Sequence, residues 1–286
     1  MEKRKIVISS EAEGMLVGDY LRKVFPQMRE SDFRRLFSCR DVKLDGRPVQ
    51  GKKVLSAGQE LVVFLPEHAA SALRIVYEDD NVLLVNKPSG LSVEADGSGG
   101  LNLSELCRMY ADESGMPAPQ PCHRLDNRTS GLCLFAKNEK SMDILRESFR
   151  SRTIEKYYIC LVRGMMKPPS AICKAFLVKD AQLGKVQISD RPLPDSRPIV
   201  TGYETLENGP VSRLRIHLIT GRTHQIRAHL AALGHPVLGD DLYGDRCFNR
   251  EQKARNLKLC AVSLKIRTNG LLPELDDREF VIDPPF

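Results

Sequence analysis

A single polar segment, Pro121 to Gly131, constrains this chain more than any other stretch. It reads Pro-Cys-His-Arg-Leu-Asp-Asn-Arg-Thr-Ser-Gly and leads directly into the apolar run Leu132 to Ala136, which predicts a buried strand. Asn, Ser, Thr and Gly favour tight turns, because short polar side chains bond to nearby backbone and glycine accepts positive φ. We therefore expect Asp126 on a turn at a core strand, where reactive groups are commonly held. A structural role, in which Asp126 caps the turn and pairs with Arg124, fits the local sequence equally well.

Three other segments combine charged residues with turn-forming ones. Residues 86–90 read Asn-Lys-Pro-Ser-Gly after an apolar run, and a residue before proline must be extended or turning. Residues 155–164 alternate as a strand that places Tyr158 and Tyr157 on opposite faces. Residues 220–229 read Thr-Gly-Arg-Thr-His-Gln-Ile-Arg-Ala-His and pass from a turn into a helical pattern.

These four segments together resemble the motifs of the RluA-type pseudouridine synthases. The nine residues from His123 to Gly131 match the family signature His-Arg-Leu-Asp-x-x-Thr-Ser-Gly, with only two free positions. The Gly-His-Pro-Val-Leu-Gly-Asp-Asp-Leu-Tyr-Gly block at 234–244 is a further familiar element, which we interpret as structural. The resemblance covers roughly residues 73–286. It implies an α+β fold around a long mixed, mostly antiparallel sheet, with the active cleft across its middle, and isomerisation of uridine in RNA.

The resemblance also implies roles for individual side chains. Asp126 matches the catalytic aspartate, and Arg227 matches the arginine that pairs with it. Tyr158 follows a lysine by two residues and precedes Gly164 by six, so it matches the tyrosine that stacks on the target base; a buried core tyrosine is the alternative. Arg124 occupies the position that intrudes near the flipped base. The remaining residues assigned to substrate binding in these motifs are Lys156, Arg222 and His224.

The reaction explains why these residue types suffice. Pseudouridine formation breaks the N1–C1′ bond of uridine, turns the uracil and rejoins it through C5, so nothing is oxidised and no cofactor is needed. A carboxylate acts either as a covalent nucleophile or as a base at the sugar. It must stay ionised in a site shielded from water, and an adjacent arginine favours its charged form.

The first 65 residues predict a different kind of module. Leu21, Val24 and Phe25 share one helical face, as do three apolar residues of a second helix at 33–37, and Asp19 is a candidate N-cap. A strand at 42–44, an Asp-Gly turn at 45–46 and a return from residue 49 predict a hairpin, followed by a strand at 61–65. This order resembles the small RNA-binding module named after ribosomal protein S-four, or alpha-L motif, although Asp45 replaces its usual asparagine and Gly18 a leucine.

Positive charge is concentrated in this leading region. Residues 1–65 carry 13 Lys and Arg against 9 Asp and Glu, a net charge of +4. This is most of the net charge of +6 carried by the whole chain. A basic patch on a small module favours an anionic partner such as nucleic acid. We expect Arg34, Arg35 and Lys43 to bind phosphate and to fix position while carrying little sequence information.

Small, weakly patterned residues at 67–72 suggest a linker. The predicted organisation is therefore an RNA-binding domain at residues 1–68 and a catalytic domain at residues 69–286. No apolar run approaches the ~20 residues that cross a bilayer, and no signal peptide is recognisable, so we expect a cytoplasmic protein that does not bind membranes. The eight cysteines lack the closely spaced ligand pairs of zinc sites, so no metal site is predicted. A monomer is the default expectation.

Two other functions remain open at this point. A non-catalytic RNA-binding protein of the same fold would be favoured by loss of the aspartate, tyrosine or arginine, and all three are present. A hydrolase that uses Asp126 with His123 or His224 would predict metal dependence or strand cleavage. For the synthase, ribosomal RNA is the preferred substrate over transfer RNA, because related enzymes with the same leading module commonly act on it. Motifs do not identify the uridine, since RNA shape is read by surfaces outside them.

Overall fold

The computed structural model describes residues 2–25, 28, 30–38, 40–65, 73–95, 102–113, 115–180 and 184–286. The strands are β1 (Glu2–Val7), β2 (Val42–Leu44), β3 (Arg47–Pro48), β4 (Glu60–Leu65), β5 (Ile75–Glu78), β6 (Val82–Lys87), β7 (Gln120–Pro121), β8 (Ser130–Ala136), β9 (Glu155–Arg163), β10 (Ser170–Asp180), β11 (Lys185–Ser189), β12 (Arg197–Glu207), β13 (Val211–Leu218), β14 (Leu259–Ile266) and β15 (Arg278–Val281). The helices are α1 (Val17–Val24), α2 (Glu30–Ser38), α3 (Leu103–Glu113), α4 (Glu139–Arg150), α5 (Gln225–Ala232) and α6 (Arg246–Glu251).

Contacts divide the chain into two compact units. The first comprises Met1–Leu73 and Glu94–Tyr110, and the second comprises Arg74–Val93 and Ala111–Phe286. The linker predicted at 67–72, and with it the predicted boundary after residue 68, lies outside the described residues.

The first unit holds a four-stranded antiparallel sheet in the order β1-β4-β2-β3, with a core formed together with α1 and α2. Val17 and Leu21, one helical turn apart, are fully buried on α1. Of the predicted apolar face, Leu21 is buried and Phe25 packs against the same core, whereas Val24, the last residue of the helix, is 37% exposed. Asp19 is not the N-cap, since the helix already begins at Val17 and Asp19 lies in its first turn. An acidic group there still complements the helix dipole.

The predicted hairpin is present in this unit. Asp45 and Gly46 have φ of 50° and 78°, so both central residues of the turn lie in the left-handed region that a two-residue hairpin requires. The return strand starts at Arg47, two residues earlier than predicted, because Leu44 pairs directly with it.

The second unit is built on an 11-stranded sheet whose main path is β11-β10-β12-β13-β9-β14-β8-β6-β5, with β15 beside β14 and β7 beside β8. The pairing of β14 with β8 is parallel and the other described pairs are antiparallel. The α+β fold around a long mixed, mostly antiparallel sheet is therefore confirmed. Apolar side chains of β6, β8 and β14 form a buried cluster with Met142 and Leu145 of α4.

Alternation along β9 gives the sheet two different faces. Tyr158, Cys160 and Val162 are buried on one face, where Ile216 of β13 lies opposite Tyr158 in register. Tyr157 points to the other face, where it stacks on His217 with ring centroids 4.7 Å apart. Within the described residues, no helix is long and apolar enough to span a membrane.

Candidate active site

The turn that carries Asp126 leads into β8, where Gly131 lies directly against the backbone of β14. Gly131 has φ of +116°, and a Cβ at this position would lie 2.2 Å from the carbonyl oxygen of Ala261 on β14. Only glycine permits this close approach of β8 and β14, where Gly131 pairs with Ala261 in parallel register. The backbone N–H of Thr129 donates to the carbonyl oxygen of Asp126 at 3.0 Å, which closes the turn.

His123 fixes the start of the same segment. The backbone N–H of Leu134 donates to Nε2 of His123 at 3.1 Å, and the imidazole packs against Phe149 with centroids 4.9 Å apart. Burial, together with the nearby positive charge of Lys156, lowers the pKa of His123 to about 3. The ring is therefore neutral at physiological pH and serves as a hydrogen-bond acceptor. His123 therefore supports the loop and does not form a hydrolytic pair with Asp126.

Lys87 supports the turn from beneath. Its side chain is fully buried, and Nζ donates to the carbonyl oxygens of Leu91 at 2.6 Å, Asn127 at 2.9 Å and Pro88 at 3.0 Å. Burial lowers its pKa to about 8. Asn127 directly follows Asp126, so Lys87 holds the backbone next to the carboxylate. Sequence reasoning gave Lys87 no role, although this residue belongs to the motif at 86–90.

Arg227 on α5 lies between two carboxylates. Its Nη1 lies 3.3 Å from Oδ2 of Asp126, and its Nε and Nη2 lie 2.7 Å and 2.9 Å from the two carboxylate oxygens of Asp240. Burial opposes the charge on Arg227, but its hydrogen bonds and ion pairs with Asp240 and Asp126 raise its pKa. Two hydrogen bonds to one carboxylate fix the orientation of a guanidinium plane. Asp240 therefore holds Arg227 with its third nitrogen, Nη1, directed toward Asp126.

Asp240 is a second residue of this site to which sequence reasoning gave no role. It is fully buried, and Oδ1 also accepts hydrogen bonds from the backbone N–H groups of Leu242 and Tyr243. Burial alone would raise the pKa of Asp240, but the hydrogen bonds and charge of Arg227 lower it below its ordinary value. Asp240 belongs to the block at 234–244 that was interpreted as structural. The signal in that block was its pair of adjacent acids, because a carboxylate that becomes buried needs a cationic partner such as Arg227.

A cavity of about 380 Å³ opens above Asp126. Tyr158 is 6% exposed and lies in its wall, and burial raises the pKa of its hydroxyl, which stays neutral. Leu218 and Ile226 add apolar surface. Other predicted site residues that line the same cavity are Arg124, Lys156, Arg222 and His224. A carboxylate, a buried aromatic ring and several basic side chains thus line one cleft.

His224 lies at the junction of the cavity and helix α5. Its backbone is left-handed, with φ of 55°, at the N-cap position. Nε2 lies 4.0 Å from Oδ2 of Asp126, and Nδ1 lies 3.0 Å from the hydroxyl of Tyr243. Burial lowers the pKa of His224, an effect that the charge of Asp126 only partly offsets. The imidazole therefore stays predominantly neutral at pH 7.

The remaining predicted contacts lie in the first unit and are not part of this cavity. Arg34 is exposed on α2, and Nζ of Lys43 on β2 lies 5.1 Å from the ring centroid of Phe64. Arg35 is also on α2, but its side chain lies outside the described part of the structure. Among described residues, no group of three His, Cys, Asp or Glu side chains is arranged to hold a metal ion.

Comparison with known proteins identifies the family. The model of the family described as RNA pseudouridylate synthase matches residues 81–232, which contain Asp126, Tyr158 and Arg227. The chain belongs to the RNA pseudouridylate synthase family. It is accordingly an enzyme, an RNA pseudouridine synthase of the RluA type that acts on RNA, and the function predicted from the motifs is confirmed.

Relatives extend the likeness beyond the family model. The chain is 32% identical over 261 residues to ribosomal large subunit pseudouridine synthase C of Vibrio vulnificus, an alignment covering 85% of this chain and 80% of the relative. The Escherichia coli protein of the same name is 30% identical, with coverage of 86% and 81%. Among solved structures, human RNA pseudouridylate synthase domain containing 1 superposes with a TM-score of 0.64 at 28% identity, over 76% of this synthase and 86% of the human chain.

Proposed function

We propose that this synthase isomerises uridine in large-subunit ribosomal RNA and that Asp126 carries the reaction. The observation on which the assignment of Asp126 rests is its position at the cavity, with a carboxylate oxygen 3.3 Å from the buried guanidinium of Arg227 and the ring of Tyr158 in the same wall. Arg227 stabilises the ionised carboxylate without blocking it, because Asp240 binds the other side of the guanidinium. Asp126 keeps 23% of its side chain exposed, so it is open to a substrate.

The other lining residues have complementary roles in this proposal. The target nucleotide must leave its stack to reach Asp126, and the exposed Arg124 at the cavity rim takes the vacated position. The ring of Tyr158 holds the detached uracil while it turns. Lys156 and Arg222 bind the anionic backbone around the flipped nucleotide, and neutral His224 donates or accepts a hydrogen bond beside Asp126. The apolar lining excludes water, which limits simple hydrolysis of the glycosidic bond.

The chemistry balances within the substrate. The N1–C1′ bond breaks, the uracil rotates, and a C5–C1′ bond forms at the same sugar. The hydrogen on C5 leaves as a proton and N1 gains one, so the product is an isomer. Asp126 acts either as a nucleophile at the sugar or ring or as a base at the sugar, and both routes require its ionised form.

Ribosomal RNA is the preferred substrate because the relatives at 30% and 32% identity carry ribosomal large subunit in their names and align over about four fifths of their length. Transfer RNA is the alternative. The first unit, with its basic side chains Arg34, Arg35 and Lys43, is proposed as a sequence-tolerant RNA-binding module. The cytoplasmic location and the monomeric state expected from the sequence remain predictions, and the former accords with an RNA substrate.

The experiment that tests this function is release of tritium from RNA labelled at uracil C5. Because the C5 hydrogen is lost only when the new bond forms, the signal follows this reaction. We expect release by the wild type and none by Asp126→Asn, whose amide is neither a nucleophile nor a base. Separate ribosomal and transfer RNA fractions identify the substrate class. Equal release by the two proteins would overturn the role of Asp126, and release from transfer RNA alone would overturn the substrate assignment.

A further inference from the structure

A second cavity, of about 460 Å³, borders the catalytic turn in the second unit. We call it the basic pocket and define it by five cationic side chains and one carboxylate. These are Arg128, Arg246, Arg250, Lys253, Arg255 and Asp241. The rest of its lining consists of Gly239, Asn249 and Ala254, so no aromatic ring is available to stack on a base.

The charges in the basic pocket are unbalanced. Asp241 is engaged by Arg128, with Nη1 and Oδ1 2.5 Å apart. The other four cations are exposed, and within the described part of the chain none of them forms an ion pair. Like charges gathered in one concave surface repel one another, and an anion placed among them relieves that repulsion. Arginine in particular suits phosphate, because its planar fork binds two oxygens at once.

Arg128 links the basic pocket to the catalytic turn. It lies two residues after Asp126, and besides its ion pair with Asp241 its Nη2 donates to the carbonyl oxygen of Arg255 at 3.0 Å. The sequence motif leaves position 128 free, so the family signature does not require an arginine there. In this chain the guanidinium points out of the turn and forms one wall of the pocket.

Helix α6, which supplies Arg246 and Arg250, is tied to the ion-pair network of the active site. Oδ1 of Asn249 accepts a hydrogen bond from the backbone N–H of Gly239 at 2.8 Å, and its Nδ2 donates to the carbonyl oxygen of Asp240 at 2.9 Å. Asp240 in turn orients Arg227. The pocket is therefore built onto the same rigid turn that positions the catalytic ion pair, and an anion held in it has a defined place relative to Asp126.

We propose that the basic pocket binds backbone phosphates of the RNA strand beside the target uridine. This inference rests on the proposed function and identifies a part of the substrate that the active-site cavity does not contact. Phosphate recognition fixes the position of the strand and carries no base preference, which agrees with a lining devoid of aromatic and large apolar side chains. Arg128 contacts the phosphate nearest to Asp126, and Asp241 competes with that phosphate for Arg128.

The test compares two charge-matched double variants. Arg250→Gln with Lys253→Gln removes two cations of the basic pocket, whereas Lys174→Gln with Lys179→Gln removes two exposed cations of β10 elsewhere on the second unit. Tritium release from protein-free large-subunit ribosomal RNA is measured as KM and kcat over a series of salt concentrations. Filter retention of the same RNA reports binding independently of turnover.

We expect the pocket variant to raise KM and Kd about tenfold near 0.1 M salt. The slope of log Kd against log salt concentration should also decrease in magnitude, by about 0.7 to 0.9 for each phosphate that the variant no longer neutralises. The β10 variant should retain the wild-type slope. A second pocket variant, Arg246→Gln with Arg255→Gln, should have the same effect. Agreement between the two variants distinguishes loss of phosphate binding from a folding defect of one variant.

Equal slopes for pocket and β10 variants would overturn the basic pocket as a phosphate site. Absence of tritium release by the wild type, with the slope difference intact, would overturn the proposed function but not the phosphate site.

Discussion

Arg227 and Asp240 form a buried bidentate ion pair whose carboxylate is fully enclosed, and the same guanidinium reaches Asp126 with its remaining nitrogen at 3.3 Å. The two carboxylates thus differ in burial. Asp240 is committed to holding the arginine, whereas Asp126 stays partly exposed at the cavity. Arg227 thus pairs with two carboxylates, and the buried carboxylate of Asp240 determines the orientation of its guanidinium.

Replacing Asp240 should therefore damage the enzyme although this residue does not touch substrate. In Asp240→Asn the charge of Arg227 loses its main partner inside the protein, and we expect the free energy of unfolding to fall by about 3 kcal/mol. Arg227 also loses its orientation, so kcat should fall about a hundredfold. Chemical denaturation and tritium release measure the two effects. The matched variant Asp277→Asn breaks the exposed ion pair with Arg267 and should cost less than about 1 kcal/mol; equal losses would contradict the proposed role.

The two adjacent tyrosines of β9 provide an internal comparison. Tyr158 lines the active cavity, whereas Tyr157 lies on the opposite face against His217. We expect Tyr158→Leu to lower kcat/KM by about 10- to 100-fold, the usual value of a base–aromatic stack. Tyr157→Leu should change kcat/KM by less than about threefold. Loss of activity in both variants would indicate damage to the strand instead of loss of stacking, and circular dichroism of each protein would show it.

Gly131 should be intolerant of any side chain. Alanine would combine an unfavourable φ of +116° with a contact of 2.2 Å to the backbone of Ala261, so we expect Gly131→Ala to lower the free energy of unfolding by about 3 kcal/mol or more. Gly209→Ala is the control, since its Cβ would meet the nearest atom at 3.6 Å. That variant should remain within about 0.5 kcal/mol of the wild type. Thermal unfolding of both proteins measures the difference.

His123 should make the fold sensitive to acid. Its pKa is about 3 in the folded protein and about 6.5 in an unfolded chain, so below pH 6.5 the unfolded state binds a proton that the folded state does not. Stability is therefore fully present above pH 6.5 and is lost as pH falls toward 3. Between pH 7 and 5 this single group should cost about 2 kcal/mol.

The variant His123→Gln keeps an acceptor near Nε2 and cannot titrate. Its free energy of unfolding should fall less than that of the wild type between pH 7 and 5, by the ~2 kcal/mol that the imidazole contributes. Urea denaturation at each pH gives both curves. Parallel curves would show that the ring of His123 is not the buried, neutral acceptor that the structure describes.

Local sequence was enough to predict the elements on which the site is built. The turn before β8, the alternation of β9 and the turn into α5 all depend on neighbouring residues, through polar turn-formers, a period of two and a helical stripe. Local spacing does not give the degree of burial, however. Val24 has the helical spacing of an apolar face, but it is the last residue of α1 and is exposed.

The sequence by itself also determined the family and hence the reaction, because four motifs with many specified positions occur in order along one chain. Only the tertiary structure decided how the motifs act on one another. Lys87 donates a hydrogen bond to Asn127, which is 40 residues away in the sequence. The pair Asp126 and Arg227 is separated by 101 residues, and the hydrogen-bonded pair Arg128 and Arg255 in the basic pocket by 127 residues. Such contacts are produced by strand order and by burial of charge, which depend on residues distant in the chain, and no local pattern contains that information.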